Sequence, residues 1–271
     1  MDDSSAGGLS ADFLDHALAV ARAAADAAAA VIHRYYRSAI AVEIKADQTP
    51  VTVADREAEA AVKRVLRAAF PDHACYGEEE GREGESEFLW LIDPIDGTKS
   101  FVRRYPMFST QIALMHRERL VVGVSCAAEF GETAWARAGG GAFLNGEAIR
   151  VADTREFGPH TAISFGNVKT LSRDARWQAL AGLVQQVGRT RGYGDFYHYH
   201  LAARGSLDLV IESDVNILDI APLVLILREA GGVFTDLDGA EPGLATTSVL
   251  AGVPALHAQA LARFRAALAG A

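Results

Sequence analysis

Trp90-Leu-Ile-Asp-Pro-Ile-Asp-Gly-Thr-Lys-Ser-Phe101 is the stretch whose chemistry and predicted geometry set the reading of the whole chain. The apolar run 88–92 predicts a buried strand, and Pro94, with no N–H to give a ladder, predicts that the strand stops at Asp93-Pro94 in a turn. Asp93 and Asp96 then offer two carboxylates three residues apart, followed by Gly97 and the Thr98 hydroxyl in what reads as the first turn of a short helix. Two acids, a glycine and a hydroxyl at a strand end suit a hard cation and a phosphate better than a packed core. Asp-Pro-x-Asp-Gly is also a good turn in its own right, so its neighbours must decide between the two.

The chain has 271 residues, 50% of them hydrophobic and 23% charged, an ordinary globular composition long enough for one large or two smaller domains. A net charge of -9 makes a nucleic-acid backbone or an anionic membrane an unexpected main partner. No apolar run approaches the roughly 20 residues of a membrane span, and the small, acidic N-terminus is unlike a signal or transit peptide. With only Cys75 and Cys126, neither a disulfide framework nor a zinc site is indicated. The expectation is a soluble, cytoplasmic protein.

Outward from the opening stretch, Ser10 caps a helix predicted to reach about Arg37, with Leu14, Leu18, Ala21, Ala25, Ala28 and Ile32 on one face. A short strand at 42–45 and a turn at 46–50 follow. A second helix opens at Thr52, with Asp55 at its third position and Ala54, Ala58, Ala61, Val62, Val65, Ala69 and Phe70 inward. Segments 109–115, 120–127, 133–138 and 147–151, with Asn145-Gly146 as a hairpin turn, predict an antiparallel meander. A composition change at 152–159 separates residues 1–151, helices plus antiparallel sheet, from residues 152–271. The second part alternates strands at 162–165, 190–193, 207–211, 232–236 and 248–251 with helices at 172–187, 196–203, 220–230 and 254–268, so the fold class is α/β.

Acids stand at four element ends: Asp55, the Glu78-Glu79-Glu80 run, Asp93 with Asp96, and Asp219 just before a helix. Oxygen-only ligands favour Mg²⁺, with Mn²⁺ as the usual substitute, and several carboxylates in one pocket repel unless two or more cations fill it. Each element has a plain alternative. Asp55 complements a helix dipole, Thr98 caps a helix, and acidic runs like 78–80 usually lie in solvent.

Gly77-Glu-Glu79, Trp90–Phe101, Gly141-Ala-Phe-Leu-Asn-Gly146 and Asp219-x-Ala-Pro with Glu229-Ala-Gly-Gly232 together resemble the inositol monophosphatase family of Mg²⁺-dependent phosphatases, and the similarity extends back to Lys45 and Asp47. The resemblance implies a layered α-β-α-β-α sandwich and two or three metal ions. It makes Glu78, Asp93, Asp96, Asp219 and the Ile95 carbonyl metal ligands, gives Asp55, Thr98 and Glu78 the activation of water, and has the Gly97 and Thr98 amides hold the phosphate, with Asp96 and Asp219 also facing substrate. Attack by metal-activated water in line with the leaving oxygen, without a phosphoenzyme, follows from it. The family is commonly dimeric, so a homodimer is its implication; the residues themselves do not bear on it.

Asp195 and Glu212 carry the choice of ester. Gly194-Asp195-x-Tyr197 and Thr98-Lys-Ser-Phe-Val-Arg103 resemble the histidinol-phosphatase branch, whose substrate bears an ammonium and an imidazole that acids would complement. Asp195 is also placed to cap a helix. Leu218, where relatives often carry an aromatic, and Arg104, where that branch often has glycine, depart from the pattern. Inositol 1-phosphate or a broader set of sugar or nucleotide phosphates is the alternative, and a non-catalytic metal-binding relative the reading from another class. The small-molecule phosphate ester is the expected partner in the first two.

Overall fold

Ser10 starts the first helix as its sequence predicts, its Oγ accepting the Phe13 N–H at 3.2 Å, and α1 runs over Ala11–Tyr36. The computed structural model describes residues 8–36, 42–44, 50–173 and 175–270. The N-terminal reading of residues 1–7, Arg37, Lys45, Asp47 and most of the turn read over 46–50 lie outside them.

β1 (Val42–Ile44) pairs antiparallel with β2 (Pro50–Thr52), and α2 (Val53–Ala69) follows at once, with Asp55 in its first turn. Next come β3 (Ala74–Gly77), β4 (Gly81–Glu83), β5 (Phe88–Asp96) and the short α3 (Thr98–Val102). The meander has the four expected strands, β6 (Ser109–His116), β7 (Arg119–Ala127), β8 (Glu132–Arg137) and β10 (Glu147–Ile149), and one that was not expected, β9 (Ala142–Leu144). These strands form one sheet in the order β10-β9-β8-β7-β6-β5-β3-β4, in which β3 and β5 are parallel. Asn145 and Gly146 make the tight turn before β10 with φ of 51° and 90°.

The later elements are β11 (Ala162–Phe165), α4 (Val168–Leu171), α5 (Arg176–Val184), β12 (Arg189–Arg191), α6 (Asp195–Ala203), β13 (Leu209–Ser213), α7 (Ile217–Glu229), β14 (Val233–Thr235), β15 (Ser248–Gly252) and α8 (Pro254–Ala269). Their sheet has the order β12-β11-β13-β15-β14, parallel through β13 and antiparallel beyond it. The helix expected at 172–187 is the shorter α5, and the unexpected α4 precedes it, ending where the Ser172 hydroxyl donates to the Lys169 carbonyl at 3.1 Å. α7 begins at Ile217, so Asp219 lies inside its first turn and not ahead of it.

The chain divides into two compact units, Met1–Glu147 with Leu218–Ile226, and Ala148–Ile217 with Leu227–Ala271. In the first, the small residues of α1 and the apolar face of α2 pack on Trp90 and Ile92 of β5, Ile112 and Leu114 of β6, and Val122 and Val124 of β7. Alternation sends Leu91, Asp93, Gln111, Gly123 and Ser125 to the opposite face. There Pro222 of α7 comes so close that a Cβ on Gly123 would lie 2.9 Å from its Cα. That approach brings the first turn of α7, and Asp219, to the face that carries Asp93. In the second unit, Ile163, Leu209, Ile211 and Leu250 of the sheet pack with Leu180 and Leu183 of α5 and Leu256, Ala260 and Phe264 of α8. Both cysteines are buried free thiols, and among the described residues no helix is long and apolar enough to cross a membrane.

Candidate active site

β5 does not stop at Pro94. It continues to Asp96 through a bulge, with Asp93 opposite Gln111 and Asp96 opposite Ser109, so three steps on β5 face two on β6. Proline is tolerated because the bulge asks no ladder donor of it, and Thr110 donates its hydroxyl to the Pro94 carbonyl at 2.9 Å. The extra residue has a further effect. In a regular strand, residues three apart point to opposite faces, whereas here Asp93 and Asp96 share the face of Ser109 and Gln111.

Asp93 sets the turn by accepting the Ile95 N–H on Oδ1 at 3.0 Å. Gly97 then caps α3 in the left-handed region, φ 91° and ψ 32°. A Cβ there would fall 2.6 Å from the Met107 carbonyl oxygen, so only glycine fits. The Thr98 hydroxyl donates to the Ile95 carbonyl at 3.0 Å, a carbonyl whose second lone pair remains for another partner. The Gln111 amide reaches Asp96 Oδ2 at 3.4 Å and Ser109 Oγ at 2.8 Å, while its own Oε1 is buried with no hydrogen-bond partner.

Asp93, Asp96 and Asp219 each bring a carboxylate oxygen within 4.8 Å of the others. Asp93 is 2% exposed, and burial, then the charges of Glu78, Asp96, Asp219 and Asp55, hold its carboxyl well above the ordinary carboxylate range. A buried carboxyl on which the fields of four other acids meet makes the donor set of a hard cation, and the bare group of carboxylates resists full ionisation without one. The residues therefore fit Mg²⁺-type ligation.

Glu78 stands in the turn between β3 and β4, and its amide donates to the Ile92 carbonyl at 3.2 Å, the residue before Asp93. Glu79 and Glu80 donate their N–H groups to Glu59 of α2, at 2.8 and 3.2 Å. Glu59 is 0% exposed and pairs at 2.7 Å with Lys63, itself 2% exposed, which also meets Glu80 and Glu83. Gly77 is required by this arrangement, since a Cβ would lie 2.2 Å from Glu59 Oε1. The acidic run is thus a turn anchored through its backbone, while the Glu78 and Glu80 side chains stay exposed as the residue types suggested.

A profile of the inositol monophosphatase family matches residues 14–269. The chain belongs to the inositol monophosphatase family. Among its relatives, a histidinol-phosphatase of Streptomyces coelicolor is 37% identical over 260 residues, covering 92% of this chain and 97% of that protein. A histidinol-phosphatase of Mycobacterium tuberculosis is 38% identical over 234 residues, 83% of this chain and 88% of the other. The crystal structure of the extragenic suppressor protein suhB from Bartonella henselae superposes with a TM-score of 0.85 at 27% identity, covering 92% of this chain and 98% of that one. The layered α/β fold expected from the resemblance is the fold of these neighbours. Membership makes the chain one of a family of metal-dependent phosphatases of small phosphate esters.

Asp195 and Glu212 lie in the second unit. Asp195 is the first residue of α6, partly buried, and its φ of 46° is a left-handed conformation that Asp enters more readily than most residues with a side chain. The cap is Gly194 and not Asp195. Glu212 is the last residue but one of β13 and is 7% exposed. Arg104, read as a departure from glycine, keeps a glycine-like backbone, φ 65°. Glu59, Lys63, Ser109 and Gln111 are site-supporting residues that the sequence reading passed over. Their signal was polar side chains at inward positions of α2 and β6.

Proposed function

We propose that this chain is a Mg²⁺-dependent phosphomonoesterase that hydrolyses L-histidinol phosphate to L-histidinol and phosphate, a step in histidine biosynthesis. The observation that carries the chemistry is the meeting of Asp93, Asp96 and Asp219 within 4.8 Å, with Glu78 and Asp55 close enough to raise the Asp93 pKa. In this reading Glu78, Asp93, Asp96, Asp219 and the Ile95 carbonyl hold two or three Mg²⁺ ions. Bound there, the ions supply water acidified to near-neutral pKa and offset the charge of the phosphoryl and leaving oxygens.

The remaining work falls to the protein. The Thr98 hydroxyl gives up its bond to the Ile95 carbonyl, passes its proton to the Asp55 carboxylate, buried in the first turn of α2, and takes one from the attacking water at Oγ1. The N–H groups of Gly97 and Thr98 hold the phosphate oxygens. The bulge keeps Asp96 on the ligand face, and the Glu59 anchor keeps Glu78 beside β5.

Support for the substrate comes from the two histidinol-phosphatases that resemble the chain and from the acids Asp195 and Glu212 in the second unit. Asp195 and Glu212 would receive the ammonium and imidazole of histidinol by charge-assisted bonds.

The test is phosphate release from histidinol phosphate, inositol 1-phosphate and p-nitrophenyl phosphate, before and after chelation. Asp195→Asn is expected to raise KM for histidinol phosphate about tenfold or more, the scale of a hydrogen bond to a charged group, and to leave the aryl ester almost unchanged. A parent enzyme that prefers inositol 1-phosphate refutes the substrate. Undiminished turnover after removal of divalent cations refutes the chemistry.

A further inference from the structure

Four side chains outside the carboxylate cluster form one buried hydrogen-bond chain in the second unit. The Tyr193 N–H donates to Ser164 Oγ at 3.2 Å, and Ser164 Oγ lies 3.3 Å from His198 Nδ1. His198 Nε2 lies 3.0 Å from Glu212 Oε2, which also accepts the Tyr199 hydroxyl. Ser164 and His198 are both 0% exposed, so no ester reaches the serine and the row is no hydrolytic triad.

The direction of the chain follows from what each group can do. A carboxylate only accepts, so His198 carries hydrogen on Nε2 and donates to Glu212. In the neutral ring Nδ1 then accepts, and the Ser164 hydroxyl donates to it while its oxygen receives the Tyr193 N–H. Both donors to Glu212 converge on Oε2. Oε1 lies over Gly166, where a Cβ would come within 2.2 Å of it, and takes no protein donor among the described residues.

We propose that His198 is a positioning residue for substrate recognition. It fixes Glu212 with Oε1 presented to the substrate's hydrogen-bond donors, and through Ser164 it ties that carboxylate to the Tyr193–Asp195 segment. The inference rests on the reading of Asp195 and Glu212 as substrate residues. His198 itself touches no substrate.

The test compares the full-length parent with His198→Leu, His198→Gln, Glu212→Gln and the Leu/Gln double variant on the same three esters, alongside side-chain ¹⁵N spectra of the parent. The parent is expected to show His198 as the Nε2–H tautomer. His198→Leu should raise KM for the preferred natural ester about tenfold, with kcat and p-nitrophenyl phosphate kinetics within about twofold. His198→Gln, which keeps a donor, should recover most of the KM, and the double variant should be no worse than Glu212→Gln alone. His198→Leu with unchanged KM where Glu212→Gln raises it, equal losses on all esters, or an Nδ1–H tautomer overturns the proposal. A Glu212→Gln variant with parental KM on every ester overturns it too. A parent that prefers inositol 1-phosphate overturns only the histidinol assignment, and the same comparison is then read on that ester.

Discussion

Replacing Lys63 by methionine removes the only cation that faces Glu59 among the described pairs, and its cost can be worked from the geometry. The ammonium lies 2.7 Å from Glu59, 2.8 Å from Glu80 and 2.5 Å from Glu83. Burial pushes its pKa down, and bonds from these three acids more than reverse that, holding it above the ordinary lysine range. Glu80 and Glu83 are 54% and 39% exposed, so water replaces lysine there and those two pairs contribute little. Glu59, at 0%, has no such recourse and keeps only the two amides of Glu79 and Glu80.

Breaking a buried pair from one side costs about 3–5 kcal/mol. The two surviving amide bonds place this case near about 3 kcal/mol, a fall of roughly 6–12 °C in melting midpoint for a chain of this size. Scanning calorimetry of the metal-free protein is the assay. The double variant Glu59→Gln/Lys63→Met removes the stranded charge, retains an acceptor for the amides, and should recover at least half of the loss. A Lys63→Met midpoint within about 2 °C of the parent, under 1 kcal/mol, would refute the argument that the pair is desolvated. A double variant less stable than the single one would refute it as well.

Asp93→Asn should weaken Mg²⁺ binding, read by titration calorimetry, by at least about 100-fold, because even outer-sphere partners of ligands are worth 10- to 100-fold; affinity within threefold of the parent would remove Asp93 from the ligand set. Gly97→Ala forces a Cβ to 2.6 Å from the Met107 carbonyl at φ 91°, so denaturation should show a loss of about 1–3 kcal/mol together with a fall in kcat, and a parental value for both would mean the turn relaxes freely. His73 is stacked between Phe70 and Phe88 at ring distances of 4.6 and 4.5 Å, and burial holds its pKa below the usual value of about 6.5. The unfolded chain therefore binds the proton first, so this stability is full above about pH 6.5 and is lost as pH falls through the lower folded-state pKa. Urea denaturation at pH 5.0 and 7.5 should show a smaller acid loss in His73→Phe than in the parent; equal losses would discard His73 as a contributor.

Local pattern made much of this fold legible, and the exceptions share one physical cause. Periodicity located α1, α2 and the meander because each buries a face whose apolar residues recur in sequence. It failed on α2 at Asp55, Glu59 and Lys63, four residues apart and all buried, since a charge reads as solvent-facing unless its partner is known. Glu59 pairs locally with Lys63, but its other partners are the amides of Glu79 and Glu80, some twenty positions on.

Pro94 misled in a similar way. Alone it ends a strand, but the register of β6 accommodates it in a bulge, and without that extra residue Asp96 would point into the helix-packed face away from Asp93. The acids were readable as residue types, then, while their convergence depended on one inserted residue and on the close approach of Pro222 to Gly123 that carries in Asp219. It follows that Gly123, remote in sequence from every acid, should be as intolerant of a side chain as Gly97. Gly123→Ala sets a methyl 2.9 Å from Pro222 Cα, and the shift of α7 that relieves it moves Asp219 from the cluster. Mg²⁺ affinity should drop in that variant with the helix content by circular dichroism unchanged, and unaltered affinity would mean that α7 is positioned by other contacts.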